Sequence, residues 1–265
     1  MRWLFGLWLL YQASFGWALS NPFPKMAAAY WLETDGEVVW AKQADQRLPS
    51  ASLTKMMTAL LVLEHPSGSA NSVVTVSPAA ARETGSRISL QAGQQLTQDA
   101  LLAATLIASA NDACRALADH LAGDQTRFVQ RMNARARQLG MTNTHFANAC
   151  GHDAPQHYAS ARDLALLAHA LMQHPQALAL AGQSTRQIST VDGRRSFALN
   201  STNALLGRYP GILGLKTGRT AQAGNCLVAV AQRGTTQVLL VLLKGSDRWW
   251  DAVDVLDLAF ERAAH

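Results

Sequence analysis

The chain has 265 residues, with 23 Lys and Arg against 18 Asp and Glu, a formal charge of +5, and 49% hydrophobic residues. That apolar content excludes a mainly disordered chain, and 18 glycines and eight prolines exclude a collagen-like or low-complexity one. The length is enough to bury a real core, and with no basic cluster interleaved with aromatics the sequence does not suggest a nucleic-acid partner.

Residues 1–20 read MRWLFGLWLLYQASFGWALS. One cation, Arg2, precedes an apolar run over 3–10, and Ala18-Leu19-Ser20 supplies the small residues of a cleavage site. This layout predicts a signal peptide, cut before Asn21, and a periplasmic or secreted protein. An uncleaved anchor is disfavoured, because the apolar run is shorter than the ~20 residues a spanning helix needs. Residues 21–265 are then expected to form one domain with no transmembrane segment.

Residues 25–43 alternate apolar and polar around Asp35-Gly36, which predicts a hairpin. SLTKMMTALLVLEH reads as an apolar helix stopped before Pro66. A short strand is expected over 73–76. Thr97 then caps a helix ending near Ser109, a second runs over 112–121 and closes at Gly123, and Asp124 caps a third that reaches Gly140. Ser160 caps a fourth, ARDLALLAHALMQ, that stops at Pro175. Residues 187–209 carry no clear pattern. Two β-rich runs, 225–233 and 236–244, are split by Arg233-Gly234 and read as adjacent strands. From Arg248 onward Trp249, Val253, Leu256 and Phe260 share one face of an amphipathic helix. Its acidic outer face suits packing on the strands better than docking on anionic lipid. Strands at both ends with helices between predict an α+β fold: one antiparallel sheet built from both termini, with a mainly helical insertion. The three cysteines show no CxxC spacing, which argues against a zinc site or a disulfide-rich scaffold. Cys114 and Cys226 read as buried, unpaired thiols, with a bond between two of the three left open.

Three short stretches carry chemistry. In Ser52-Leu53-Thr54-Lys55 the hydroxyl and the amine stand one helical turn apart. A serine hydroxyl needs a base to become a nucleophile, and a lysine serves as that base only when burial or a nearby cation keeps it neutral. The apolar flanks Leu53, Met56 and Met57 favour such desolvation. Ser109-Ala110-Asn111 reads equally well as a helix cap. Lys216-Thr217-Gly218 opens a β-rich run: a second ammonium would help to keep Lys55 neutral, a cation with a hydroxyl suits a carboxylate, and the glycine lets a substrate backbone lie close.

Their order and spacing carry more than any one alone. Ser-x-x-Lys, then Ser-x-Asn 57 residues on, then Lys-Thr-Gly 107 residues further, is the signature set of penicillin-binding proteins and serine β-lactamases. With ASLTKMMTALL, SANDACRALADHLAG, FVQRMNARARQLGMTNTHFAN, YASARDLALL and GLKTGRTAQAGNCLVAVA, the chain resembles the low-molecular-mass penicillin-binding proteins, the D-alanyl-D-alanine carboxypeptidases and related DD-endopeptidases, over residues 27–248. It departs from them in Ser-Ala-Asn for the usual Ser-Gly-Asn. It has Asn148-Ala149-Cys150-Gly151-His152 where Asn-Pro-x-Gly-Leu is common, and Ser201-Thr202-Asn203 where Asn-x-Asn is common. Ending 47 residues after Gly218, it matches the length of shorter, endopeptidase-like members, without the further β-rich domain and amphipathic anchor of many carboxypeptidases.

The resemblance implies a serine DD-peptidase acting on the D-Ala-D-Ala terminus of peptidoglycan stem peptides. Ser52 attacks, Lys55 accepts its proton, and Ser109, tied to Lys216, passes a proton to the leaving amine. Asn111 meets the substrate amide. Lys216, Thr217 and Gly218 hold the carboxylate end, with Arg248 as a helper, and the N–H groups of Ser52 and Arg219 form the oxyanion hole. β-Lactams would acylate Ser52 as covalent inhibitors, and no metal or other cofactor is implied. The alternatives are a DD-endopeptidase cleaving crosslinks, a serine β-lactamase, and a non-catalytic β-lactam binder. The β-lactamase reading is weakened because SFALN at 196–200 lacks the glutamate of a Glu-x-x-Leu-Asn stretch.

Overall fold

A computed structural model describes residues 21–65 and 70–264. The signal-peptide reading of residues 1–20 lies outside the described residues.

Asp35 (φ 51) and Gly36 (φ 83) both take the left-handed conformation of a tight hairpin turn, joining β1 (Ala27–Thr34) to β2 (Glu37–Lys42). The other strands of the same sheet come from the far end of the chain: β7 (Ile212–Thr220), β8 (Gly224–Arg233) and β9 (Thr236–Gly245). The order is β2-β1-β9-β8-β7, antiparallel throughout, so the two ends of the sequence meet where β1 pairs with β9. This is the expected architecture.

Both faces of the sheet are covered. Val228, Val230, Leu239 and Val241 pack toward the helical part, and Leu227, Ala229, Leu240 and Leu242 pack toward α8 (Trp250–Ala263). A strand buried on both sides needs apolar residues at successive positions, which is why LVAVA and VLLVLL do not alternate with polar ones. On α8, Leu256 and Phe260 are buried and Val253 and Trp249 pack beside them, as the helical spacing requires.

The helical insertion wraps around α1 (Lys55–Leu63). Its sequence KMMTALLVL is apolar on all sides, the mark of a helix enclosed by others. A 3-10 turn, Ala51–Thr54, leads into it. Around it stand α3 (Gln98–Leu106), capped by Thr97, α4 (Asn111–Ala122), ended by Gly123, α5 (Gln125–Gln138), capped by Asp124, and α6 (Ala161–Met172), capped by Ser160. Each cap falls where its residue type predicts.

The short strand expected over 73–76 is β3 (Val73–Thr75). Other short elements escaped the sequence reading: its partner β4 (Gln95–Thr97), and α2 (Pro78–Ala81) between them. Pro175 does more than end α6: it is the first residue of α7 (Pro175–Ala181). The unassigned region contains a hairpin, β5 (Thr185–Ser189) with β6 (Ser196–Asn200). The reading of Cys114 as an unpaired thiol is corrected: it forms a disulfide with Cys150, the Cα atoms 6.0 Å apart, and Cys226 remains a buried free thiol. The two half-cystines lie 36 residues apart on different elements, a pairing that spacing alone does not reveal. Among the described residues no helix is long and apolar enough to cross a membrane.

Leu240 is fully buried between the sheet and α8. Leu240→Ala is expected to lower the unfolding free energy by about 2–5 kcal/mol. This is read as a lower urea midpoint with an unchanged slope.

Candidate active site

The turn before α1 is shaped to present Ser52. Ala51 sits at φ 48, a conformation alanine adopts at a cost, and Leu53 N–H donates back to the Ser50 carbonyl. One turn on, Lys55 Nζ lies 2.9 Å from Ser52 Oγ. Ser52 is half-buried, whereas Lys55 is fully buried. Behind the turn, Ala147 N–H donates to His157 Nδ1 (3.0 Å). The ring therefore carries its proton on Nε2, which donates to Thr54 Oγ1 at 2.8 Å. Burial, with the neighbouring His145 adding to it, pushes His157 down to about 4, so it supports the turn as a neutral imidazole.

Lys55 has two further oxygen partners: Asn111 Oδ1 and the Cys150 carbonyl, each 2.6 Å away. Asn111 is the first residue of α4, and its Nδ2 donates to the Thr84 carbonyl (2.6 Å). Cys150 belongs to a loop folded around Asn148, whose Oδ1 accepts from the N–H groups of Cys150, Gly151 and His152. Thus the loop closes although Ala149 stands where proline is common. Gly151 (φ 92) cannot be replaced easily, because a Cβ there would lie 1.9 Å from the Ala51 carbonyl oxygen.

Ser109 projects from the sharp turn between α3 and α4 with φ 57 and accepts from Lys216 Nζ at 2.9 Å. A serine held in the left-handed region stores of the order of 1–3 kcal/mol of strain, a feature that concentrates at functional sites. Lys216 is buried on β7 and also donates to the Thr217 carbonyl (3.0 Å). Gly218 lies against the serine turn: a Cβ on it would be 3.0 Å from Ser52 N and from Ala51 Cβ. Arg248 reaches back to donate to the Gly218 carbonyl (2.7 Å). Arg219 follows Gly218 on β7 and is exposed. All nine residues singled out from the sequence thus converge on the serine turn and β7.

Others went unnoticed. Thr202 Oγ1 hydrogen-bonds Thr217 Oγ1 (2.6 Å), and Glu83 pairs with His152 (2.8 Å) and Arg115 (3.3 Å) beside Thr84. Thr202 stands inside the Ser-Thr-Asn stretch noted above; Glu83 left no sequence signal. The Cys150 contact is made by main chain, to which residue type is blind. A cavity of about 610 Å³ on the α8 side, lined by Leu205, Tyr209, Trp249 and Trp250, contains none of the nine.

Burial is the largest influence on both lysines. It holds Lys55 well below the ordinary lysine range, and Lys216 lowers it further, against opposition from Glu83 and Asp112. Burial, then Arg248, pushes Lys216 down to about 7. An alcohol facing an amine shifted toward its neutral form is equipped to act as a nucleophile, and the second lysine adds to burial in favouring that form.

The fold and the three assembled motifs place the chain among the low-molecular-mass penicillin-binding proteins. It belongs to the D-alanyl-D-alanine carboxypeptidase family, whose model matches residues 20–247. It is 34% identical over 242 residues to the D-alanyl-D-alanine carboxypeptidase DacF of Bacillus subtilis, a match covering 89% of this chain and 62% of that protein. The chain therefore spans about three fifths of that relative's length. Among solved structures, a Streptomyces DD-transpeptidase superposes with a TM-score of 0.84 at 28% identity, covering 89% of this chain and 98% of the other. A Listeria monocytogenes penicillin-binding protein in its ampicillin-bound form superposes with a TM-score of 0.79 at 31% identity, covering 91% of this chain and all of the other.

The lowered Lys216 links stability to pH. The unfolded chain keeps a proton on this lysine up to 10.5, and the folded chain releases it at about 7. Between these values the unfolded state binds more protons, so this group makes stability rise with pH and fall as pH drops through the window. Lys216→Met is expected to reduce that slope by about 1.4 kcal/mol per pH unit, measured by urea unfolding of both proteins across the window.

Proposed function

We propose that the protein is a serine D-alanyl-D-alanine carboxypeptidase that hydrolyses the D-Ala-D-Ala terminus of peptidoglycan stem peptides through an acyl-enzyme. The observation that carries this reading is the 2.9 Å contact between Ser52 Oγ and the wholly buried Lys55 Nζ. Ser52 attacks the penultimate carbonyl as its proton passes to neutral Lys55. The negative charge that develops on the carbonyl oxygen falls to the N–H groups of Ser52 and Arg219; one such donor is worth roughly 3–4 kcal/mol.

Collapse of this intermediate expels the terminal D-alanine, its amine taking a proton through Ser109, whose hydroxyl Lys216 holds. Water then attacks the acyl-enzyme and restores Ser52. The substrate carboxylate lies against Lys216 and Thr217, with Gly218 giving the peptide room at the strand and Arg248 steadying it from the Gly218 carbonyl. Asn111 sits between Lys55 and Thr84 and offers its carboxamide to the substrate amide from there. A β-lactam carries a strained amide beside a carboxylate and enters the same attack, leaving Ser52 acylated. Residues 21–265 act as the catalytic domain, and the leader-like residues 1–20 support export to the periplasm or beyond, where peptidoglycan lies.

Incubation with a fluorescent penicillin, followed by peptide mapping, is expected to label the peptide containing Ser52 in wild type and nothing in Ser52→Ala. Wild type is expected to release free D-alanine from a pentapeptide ending in D-Ala-D-Ala. Monomers from a crosslinked dimer without release from the pentapeptide would move the assignment to endopeptidase. Rapid nitrocefin turnover in place of a stoichiometric burst would move it to β-lactamase. Labelling without any product marks a binder only.

A further inference from the structure

Two of the three oxygens around Lys55 Nζ come from segments that one covalent bond joins. Asn111 opens α4, and Cys114 stands three residues on, on the same side of the helix. Cys114 is bonded to Cys150, whose main-chain carbonyl is the other acceptor. Both cysteines are buried, and one turn past Lys55 the Thr58 hydroxyl donates to Ala149 O at 2.7 Å, at the edge of the same loop.

A neutral lysine amine has two N–H bonds and one lone pair. Two fixed acceptors, Asn111 Oδ1 and Cys150 O, use both N–H bonds, so the lone pair is left facing the Ser52 hydroxyl. If either acceptor moves away, an N–H can turn toward Ser52 and the amine ceases to accept its proton. Proton transfer therefore depends on the relative placement of α4 and the 148–152 loop.

We propose that the Cys114–Cys150 disulfide is a positioning element for the general base: by locking α4 to the loop it fixes the two acceptors that aim the Lys55 lone pair at Ser52. This rests on the roles assigned to Ser52 and Lys55 above. The resemblance motifs do not require it, since Cys150 occupies the variable position of the Asn-Pro-x-Gly-Leu stretch. A disulfide also stabilises a fold by restricting the unfolded chain, so the test must separate aim from stability.

The test is Cys114→Ala/Cys150→Ala, which keeps the carbonyl at position 150 and leaves in place the charged groups that act on Lys55, namely Lys216, Glu83 and Asp112. Acylation by a fluorescent penicillin is followed under single-turnover conditions, well below the variant's melting temperature. The saturating rate is expected to fall on the order of ten- to a hundredfold. The half-saturating concentration should change less than the rate, because Lys216, Thr217 and Gly218 stay in place and only Asn111 is shared between the base and the ligand. The acid limb of the rate profile should move to higher pH as the site loosens and Lys55 becomes better solvated. A lower melting temperature with an unchanged saturating rate and pH profile overturns the proposal and leaves a purely stabilising crosslink. Should the variant not fold, wild type refolded in dithiothreitol, titrating three thiols in place of one, takes its place, and equal rates in the oxidised and reduced proteins overturn it likewise. Failure of wild type itself to be acylated removes the underlying reading, an outcome distinct from equal rates.

Discussion

The site depends on an amine buried without a carboxylate in hydrogen-bonding contact. Lys55 is enclosed by apolar helices and meets three oxygens, none of them a carboxylate oxygen. A charged ammonium in such a place is costly, and the cheaper state is the neutral amine. Glu83 and Asp112 favour the charge from a distance, and Lys216 opposes it. The balance is drawn toward the neutral form, because burial outweighs the others. Much of the surrounding architecture can be understood as the means of keeping that amine dry: the apolar girth of α1, the close approach of Gly151 and Gly218 to the serine turn, and the placing of Lys216 on an adjacent strand.

The strands and caps that could be read from the sequence are those where local chemistry and tertiary need agree. Asp35-Gly36 turns because both residues tolerate positive φ. Thr97, Asp124 and Ser160 cap because their oxygens accept from the third residue on. The elements that escaped are short and held by neighbours: β4 is three residues long and exists through its pairing with β3, and α7 follows so closely on α6 that its initial proline looks like a terminator.

The site was legible to the extent that it consists of side chains in spaced motifs. Ser52, Lys55, Ser109, Asn111 and Lys216 need particular functional groups, so they leave a trace in residue type. The Cys150 carbonyl leaves none, since any residue could supply it. Thr202 sits opposite Thr217 only because residues 201–203 return to the edge of β7, a placement fixed by the fold and not by local pattern. The disulfide was hidden for a related reason. Cys114 faces inward from an alanine-rich helix, as an ordinary small apolar residue would, and its partner lies in an irregular loop.

A sheet assembled from both termini also sets an order of events during synthesis. The β1–β2 hairpin leaves the ribosome early, yet its main partner is β9, and Asp35 reaches Gln237 across 202 residues of chain. Long-range pairings of this kind form late and slowly. Until β7 has been made and laid beside the serine turn, Lys216 is missing from the neighbourhood of Lys55, and the turn has no Gly218 wall. The residues proposed as nucleophile and base are therefore made long before the strand that completes their surroundings, and the site is assembled only when the last fifth of the polypeptide pairs with the first.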